Sequence, residues 1–239
     1  MSPHAAWSSG SPEPKHVVVS RETPGPAPDL PEWLNPYGDK LAEFAALLAD
    51  SGVTRGLIGP REVPRLWERH LLNCAVVAEP TVGLVPAGAR VGDVGSGAGL
   101  PGLVWAICRP DIQVVMIEPL LRRSTFLSEV VAALELGGRA EVWRGRAEDA
   151  VTQASVTGFD VVTARAVAPL DRLIGWTVPL LAVGGRLVAL KGSSAGRELE
   201  EARVMAASAG LVDMSVREVG AGLLDPPTTV ITGLRGAAE

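Results

Sequence analysis

Val91-Gly92-Asp93-Val94-Gly95-Ser96-Gly97-Ala98-Gly99-Leu100-Pro101-Gly102 decides the reading of the fold. A short β-like run ends at Asp93 and Val94, and glycines follow at alternate positions, Gly95, Gly97 and Gly99. Glycines so spaced let a backbone turn sharply and lie against a ligand. Pro101 stands where a helix would open, since its fixed φ and missing N–H cost nothing in a first turn. A strand, a glycine turn and a helix start imply a nucleoside-containing cofactor on an open α/β sheet.

Downstream of this segment, strands and helices alternate. Strands are expected at 90–94, 113–118, 140–144, 159–164, 186–191, 212–219 and 228–234, and helices at 101–108, 120–136, 169–181 and 195–208. Such alternation predicts a mainly parallel sheet covered on both faces. The last two strands have no helix between them; a linker from Gly220 to Pro227 makes them a long hairpin with the final strand antiparallel. Upstream, Leu41, Phe44, Ala45, Leu47 and Leu48 mark an amphipathic helix, and a second helical pattern runs from Val63 to Glu79 before Pro80. Residues 1–31, rich in Pro, Ser and Gly, read as a disordered tail. The expected organisation is therefore a tail (1–31), a helical extension (32–80) and an α/β domain (81–239).

The pattern G-x-G-x-x-G at Gly97–Gly102 fits dinucleotides as well as S-adenosylmethionine. Asp93 favours the latter: a carboxylate beside the loop repels a pyrophosphate but suits a cationic ligand. Glu118, ending the next strand, can accept ribose hydroxyls in either case. Arg146-Ala147-Glu148-Asp149 after the third strand supplies an acid for an adenine amino group and an alanine to pack on the ring. The antiparallel seventh strand points to a Rossmann-like class I S-adenosylmethionine methyltransferase sheet rather than a dehydrogenase.

Composition bounds the surroundings. The 239 residues are 47% hydrophobic, enough for one sizeable core. Net charge is −5, so any nucleic-acid contact needs a local patch. Only Lys15, Lys40 and Lys191 are lysines; the other basic residues are arginines. Cys74 and Cys108 lie in apolar, helix-like runs, without metal-ligand spacing. No signal peptide and no bilayer-spanning apolar run is evident, so a reduced, cytoplasmic protein without membrane or metal partners is expected.

Several short motifs then fall into one order: Trp67-Glu68-Arg69-His70-Leu71-Leu72, the glycine segment, Glu118-Pro119-Leu120 with Arg122-Arg123 and Phe126-Leu127, Arg146-Ala147-Glu148, Ala164-Arg165-Ala166-Val167-Ala168-Pro169-Leu170 and Leu190-Lys191-Gly192. In this order the chain, from about residue 40 to 234, resembles the RsmG (GidB) family of bacterial 16S ribosomal RNA methyltransferases. The resemblance implies methyl transfer to N7 of guanine 527 of 16S rRNA, with cofactor contacts at Gly95, Leu100, Ala147, Glu148 and Arg165. Two departures stand out. Asn73 occupies a position where family members often carry Asp, and Arg55-Gly56-Leu57-Ile58-Gly59 replaces an Asn-Leu-Thr segment.

Guanine N7 carries a free lone pair, so no proton must leave before attack and no general base is needed; alignment is the main task. Methylation of an exocyclic amine usually employs an Asn/Asp-Pro-Pro-aromatic run after the fourth strand, where this chain has Arg165-Ala166. The late Asp225-Pro226-Pro227-Thr228 run reads as a turn. The expected cofactor set is Asp93, Gly95, Gly97, Gly99, Leu100, Glu118, Ala147, Glu148 and Arg165; Arg165 and Lys191 are the catalytic candidates. Arg65, Arg69, His70, Arg122, Arg123 and Lys191 are the RNA-binding candidates, with Arg61 completing a local basic patch. A monomer acting on 16S rRNA or the small ribosomal subunit is expected. The alternatives are a methyltransferase of a small molecule or protein, a non-catalytic rRNA-binding assembly factor and, third, a dehydrogenase.

Overall fold

The structure, a computed structural model, describes residues 23–237. Most of the expected tail (1–22) lies outside the described residues. Within 23–31 the chain has no regular secondary structure, yet Leu30 already packs on the core. The first elements are helical: α1 (Gly38–Leu47), a π turn (Leu48–Gly52), then a run that winds as a 3₁₀ turn (Pro60–Arg65), a π segment (Leu66–Leu72) and α2 (Asn73–Ala78).

The alternating part follows: β1 (Arg90–Val94), α3 (Gly102–Cys108), β2 (Gln113–Ile117), α4 (Leu121–Ala133), β3 (Ala140–Trp143), α5 (Ala150–Ser155), β4 (Phe159–Arg165), α6 (Leu170–Thr177), β5 (Leu181–Lys191), α7 (Ala195–Ser208), β6 (Leu211–Val219) and β7 (Thr228–Arg235). These strands form one seven-stranded sheet in the order β3-β2-β1-β4-β5-β7-β6. Strands β1 to β5 pair in parallel, and β7 inserts between β5 and β6, antiparallel to both. The hairpin expected around Gly220–Pro227 is present, with Val219 opposite Thr228.

Period-two alternation divides the strand side chains between two cores. Val114, Met116, Val161, Val188 and Leu190 face the N-terminal helices, α3 and α4. Val115, Ile117, Val162, Leu187 and Ala189 face α6 and α7. All seven residues of α3 are buried, because it is sandwiched between the sheet and the N-terminal helices. Its Trp105 donates Nε1–H to the Cys74 carbonyl at 2.8 Å, which satisfies the polar edge of a fully buried indole. The helical segment and the sheet thus share one core.

Several boundaries differ from the sequence reading. Helix α3 starts at Gly102, with Pro101 as its cap. Helix α4 ends at Ala133, before Leu136. Helix α6 gives way after Thr177 to a 3₁₀ turn, Val178–Leu180, because Pro179 has no N–H to continue an α ladder. Strand β5 begins at Leu181 rather than Arg186; Gly184 at φ +79° with Gly185 breaks the apolar alternation in its first half. Helix α5 had no sequence signal, since Thr152 is its one buried residue and Val151 is exposed.

Candidate active site

The site grows from the carboxyl ends of the parallel strands. After β1 the backbone takes φ +69° at Gly95, +56° at Gly97 and +89° at Gly99, values that glycine alone adopts without strain. Beneath the loop Asp93 is completely buried, and its Oδ2 accepts the Gly102 N–H at 3.1 Å. Gly102 is obligatory here, because a Cβ would stand 2.5 Å from that oxygen. The other oxygen, Oδ1, is buried and has no hydrogen-bond partner among the described residues. Burial therefore raises the Asp93 carboxyl to about 7.

The sign of that shift sets a pH dependence. An acid whose folded pKa lies above its unfolded one binds more protons when folded, so stability falls as pH rises from about 4 to about 7. Asp93→Asn should flatten this window, gaining stability relative to the parent at pH 8 but not at pH 4. Urea unfolding of the ligand-free protein at both pH values measures it; equal offsets would contradict the assignment.

Beside the glycine loop lies a cavity of about 330 Å³ lined by Gly95, Glu118, Leu120, Arg123, Ala147 and Trp176, among others. Glu118 is buried; its Oε2 accepts the Gly97 N–H and its Oε1 the Leu120 N–H, each at 3.0 Å, so it braces the glycine loop from β2. Each carboxylate oxygen keeps a further lone pair. Ala147 is buried in the wall, and Glu148 at the rim pairs with Arg146 at 3.6 Å. A Cβ on Gly95 would meet Val167, another wall residue, at 2.8 Å.

A second, larger cavity of about 1320 Å³ opens on the same edge, between the π segment, the ends of β4 and β5, and the loop before β7. Ala166 and Val167 line both cavities. Arg165 projects toward the helical segment, where Nη2 donates to the Arg69 carbonyl at 2.9 Å and contacts His70 Nδ1 at 3.0 Å. Nη1 lies 3.2 Å from Cys74 Sγ. Asn73, which lines this cavity, donates to Thr228 Oγ1 at 2.7 Å and so ties α2 to β7.

The two cavities divide the residues expected from sequence. Gly95, Glu118, Ala147 and Glu148 line the smaller one; Gly97 joins through Glu118, and Asp93, Gly99 and Leu100 support the loop without lining it. Arg165 lines the larger cavity only and pairs with neither Asp93 nor Asp171. Lys191 is not a solvated strand-end lysine: it donates to the Ala168 carbonyl at 2.8 Å and to Glu198 at 2.7 Å, with a side chain 10% exposed. Arg69, His70 and Lys191 line the larger cavity and Arg123 the smaller, while Arg65 and Arg122 are exposed and line neither. The expected basic patch is thus split.

Sequence reasoning missed Glu198, Trp176 and the Asp225-Pro226-Pro227 wall of the larger cavity. The Asp-Pro-Pro run was visible, but nothing local reveals that a turn before the last strand reaches the sheet edge.

Residues 38–225 match the family described as GidB, rRNA small subunit methyltransferase G. The Ribosomal RNA small subunit methyltransferase G of Thermobifida fusca is 58% identical over 198 residues, 82% of this chain and 80% of that protein. The protein of the same name from Mycolicibacterium gilvum is 49% identical over 217 residues, 91% of this chain and 93% of its own length. Among solved structures, the S-adenosylmethionine-dependent methyltransferase SibL in its apo form aligns with a TM-score of 0.58 at 15% identity, over 86% of this chain and 70% of that one. An O-methyltransferase family protein from Burkholderia thailandensis aligns at 0.57 and 18% identity, over 84% and 64%. The structural likenesses establish a class I methyltransferase fold, and the match across 38–225 establishes kinship: the chain belongs to the rRNA small subunit methyltransferase G family.

Proposed function

We propose that this enzyme transfers the methyl group of S-adenosylmethionine to N7 of guanine 527 in 16S rRNA, acting in the cytoplasm as a monomer on the rRNA or the small ribosomal subunit. One observation carries the reading: two cavities of unequal size meet at a shared wall, Ala166 and Val167, on the carboxyl edge of the sheet. That is the arrangement needed to bring a donor and a bulky acceptor to one point.

The residues present fit the cofactor. The smaller cavity lies within the usual range for small-ligand sites, roughly 300–1,000 Å³. The buried Asp93 carboxyl, raised to about 7 and unpartnered at Oδ1, gives up its proton more readily beside a positive charge, so ionised Asp93 and a cationic ligand favour each other beneath the glycine loop. Glu118 retains lone pairs for ribose hydroxyls, and Ala147 and Trp176 offer apolar surface to a base. S-adenosylmethionine, when bound, supplies an electrophilic methyl on a sulfonium.

This chain's own contribution is alignment. Guanine N7 needs no deprotonation, and the site accordingly needs no general base. Arg165 has five N–H donors, of which three are engaged by Arg69, His70 and Cys74. A remaining donor can reach guanine O6 while leaving N7 open, unlike the usual bidentate arginine–guanine pair. Arg69 and Arg197 on the same cavity provide phosphate contacts.

Mapping N7-methylguanine in 16S RNA from cells lacking this protein tests the substrate. Loss at guanine 527, restored by the gene, is expected; an unchanged modification there would remove the substrate assignment and leave the fold untouched. Gly95→Ala tests the donor cavity. A Cβ at φ +69° costs on the order of 1–2 kcal/mol in strain alone and pushes on Val167, so S-adenosylmethionine affinity by calorimetry should fall by roughly tenfold or more.

A further inference from the structure

His70 is half-buried at the edge of the larger cavity, and both of its ring nitrogens are engaged. Nε2 lies 2.9 Å from Glu62 Oε2, and Nδ1 lies 3.0 Å from Arg165 Nη2. A guanidinium has donors and no acceptor, so Nδ1 must offer its lone pair to Arg165. Nε2 therefore carries the ring hydrogen and donates it to Glu62. Glu62 also receives Arg69 Nη1, at 3.2 and 3.4 Å to its two oxygens. One carboxylate on the 3₁₀ turn thus fixes two consecutive residues of the π segment, both of which hold Arg165: Arg69 through its carbonyl and His70 through its ring.

We infer that Glu62 is a positioning residue for methyl transfer, holding His70 as the neutral Nε2–H tautomer so that Nδ1 anchors Arg165 at the acceptor cavity. This rests on the reading of that cavity as the acceptor site. Glu62 lies outside both cavities and was not legible from spacing, standing eight residues before His70 across a change of helix type.

The geometry makes the anchor sensitive to protons. The charged groups facing His70 are Glu62 from the 3₁₀ turn, Arg165 from the end of β4, and Arg69 on its own segment. Arg65 faces Glu62, and the Cys74 thiol on α2 touches Arg165. The cavity beyond carries Glu68, Lys191, Arg197, Glu198, Glu201, Glu218 and Asp225. Burial and the Arg165 charge hold the imidazole below its ordinary range, while Glu62 opposes them. Protonation puts a hydrogen on Nδ1 and sets a second cation against Arg165, so the anchor is lost. Methylation should therefore fall on the acid side as His70 titrates.

The test combines a spectroscopic and a kinetic readout on the full chain. The protein has three histidines, so ¹⁵N-resolved imidazole signals can be assigned to His70 by comparison with a His70→Asn variant. Parent protein should show the neutral Nε2–H form at pH 7.5. In Glu62→Gln the amide oxygen still accepts from Nε2–H but the negative charge is gone. The His70 titration, and with it the acid limb of kcat on small-subunit RNA, should both move to lower pH. In Glu62→Ala the ring loses the acceptor that braces its Nε2–H form, leaving Arg165 alone to hold it. There kcat should fall about tenfold, the low end of the cost of losing the orienting partner of a metal-ligating histidine, with Gln restoring most of it. S-adenosylmethionine affinity should be unmoved in both. A His70 ring in the Nδ1–H form, or an acid limb that stays put while the His70 titration moves, would overturn the inference. Absence of RNA methylation by the parent protein would instead remove the functional reading, and the tautomer result would stand apart from it.

Discussion

Arg165→Lys should lower turnover on small-subunit RNA by about 100-fold or more while leaving S-adenosylmethionine affinity nearly intact. The guanidinium makes three contacts in three directions, to the Arg69 carbonyl, to His70 Nδ1 and toward Cys74 Sγ. An ammonium on a flexible stem can satisfy one or two of these, but it has no planar fork to span all three and still present a donor to a base. Charge is conserved in the substitution, so a loss isolates geometry from electrostatics. Arg165 lines the larger cavity and is absent from the walls of the smaller one, which is why calorimetry should register little change in the cofactor. The resemblance to the RsmG family implied a cofactor contact for this residue. A large loss of S-adenosylmethionine binding in Arg165→Lys would support that role and count against the one assigned here. Unchanged turnover would remove Arg165 from the machinery altogether.

Arg109→Met should destabilise the protein by about 3–5 kcal/mol, chiefly the cost of leaving three backbone carbonyls without their charged donor, and lower Tm by roughly 10 °C. Arg109 closes α3 with a side chain 5% exposed. Its Nη1 donates to the carbonyls of Ala78 and Val85 at 2.9 and 3.1 Å, and Nη2 to that of Pro86 at 3.2 Å. Nε and Nη2 reach the two oxygens of Asp111 at 2.8 and 2.7 Å. The guanidinium therefore clasps the end of α2 to the chain entering β1. Methionine fills part of the volume but leaves three carbonyls without their donor. The Arg109 hydrogen bonds hold the Asp111 carboxyl at about 2, so this acid's contribution is present above about pH 4 and fades as pH falls toward 2. The variant should lose that acid sensitivity along with its stability. Thermal melts at pH 3 and pH 7 measure both, and a Tm within 2–3 °C of the parent at pH 7 would refute the role, since that is worth only about 1 kcal/mol.

The elements read most closely from sequence were those whose signal is local. Arg90–Val94 and Ala195–Ser208 have the same bounds in sequence and structure, since apolar periodicity and flanking glycines or polar caps mark them unambiguously. The glycine loop was legible because a positive φ leaves a chemical trace in the residue type. Glu118, Ala147 and Glu148 follow from the order of strands, because each stands just past the carboxyl end of its own strand.

What escaped depends on partners that folding, not local periodicity, brings together. Lys191 sits at a strand end, where solvation or phosphate binding would be expected, but Glu198 on the following helix folds back onto it. The direction of Arg165 is set by Arg69, His70 and Cys74, more than ninety positions away. Arg109 left no trace at all, because its partners are mostly backbone carbonyls, which have no residue identity.

The shared core has an evolutionary corollary. Leu34, Leu41, Phe44, Leu66 and Leu71 belong to the same packed cluster as Trp105, Val188 and Val230, so the N-terminal helices are not an appended cassette that recombination could exchange for another. Removing them would strip one face of the sheet and leave no free-standing catalytic domain. A lineage seeking a new acceptor would have to remodel the site from its edges. The Gly220–Pro227 loop walls the larger cavity with Leu223, Leu224, Asp225, Pro226 and Pro227 and joins two strands whose register is fixed behind it. Changes in its length there would redraw the cavity without reopening the core, which makes it the natural place for specificity to drift.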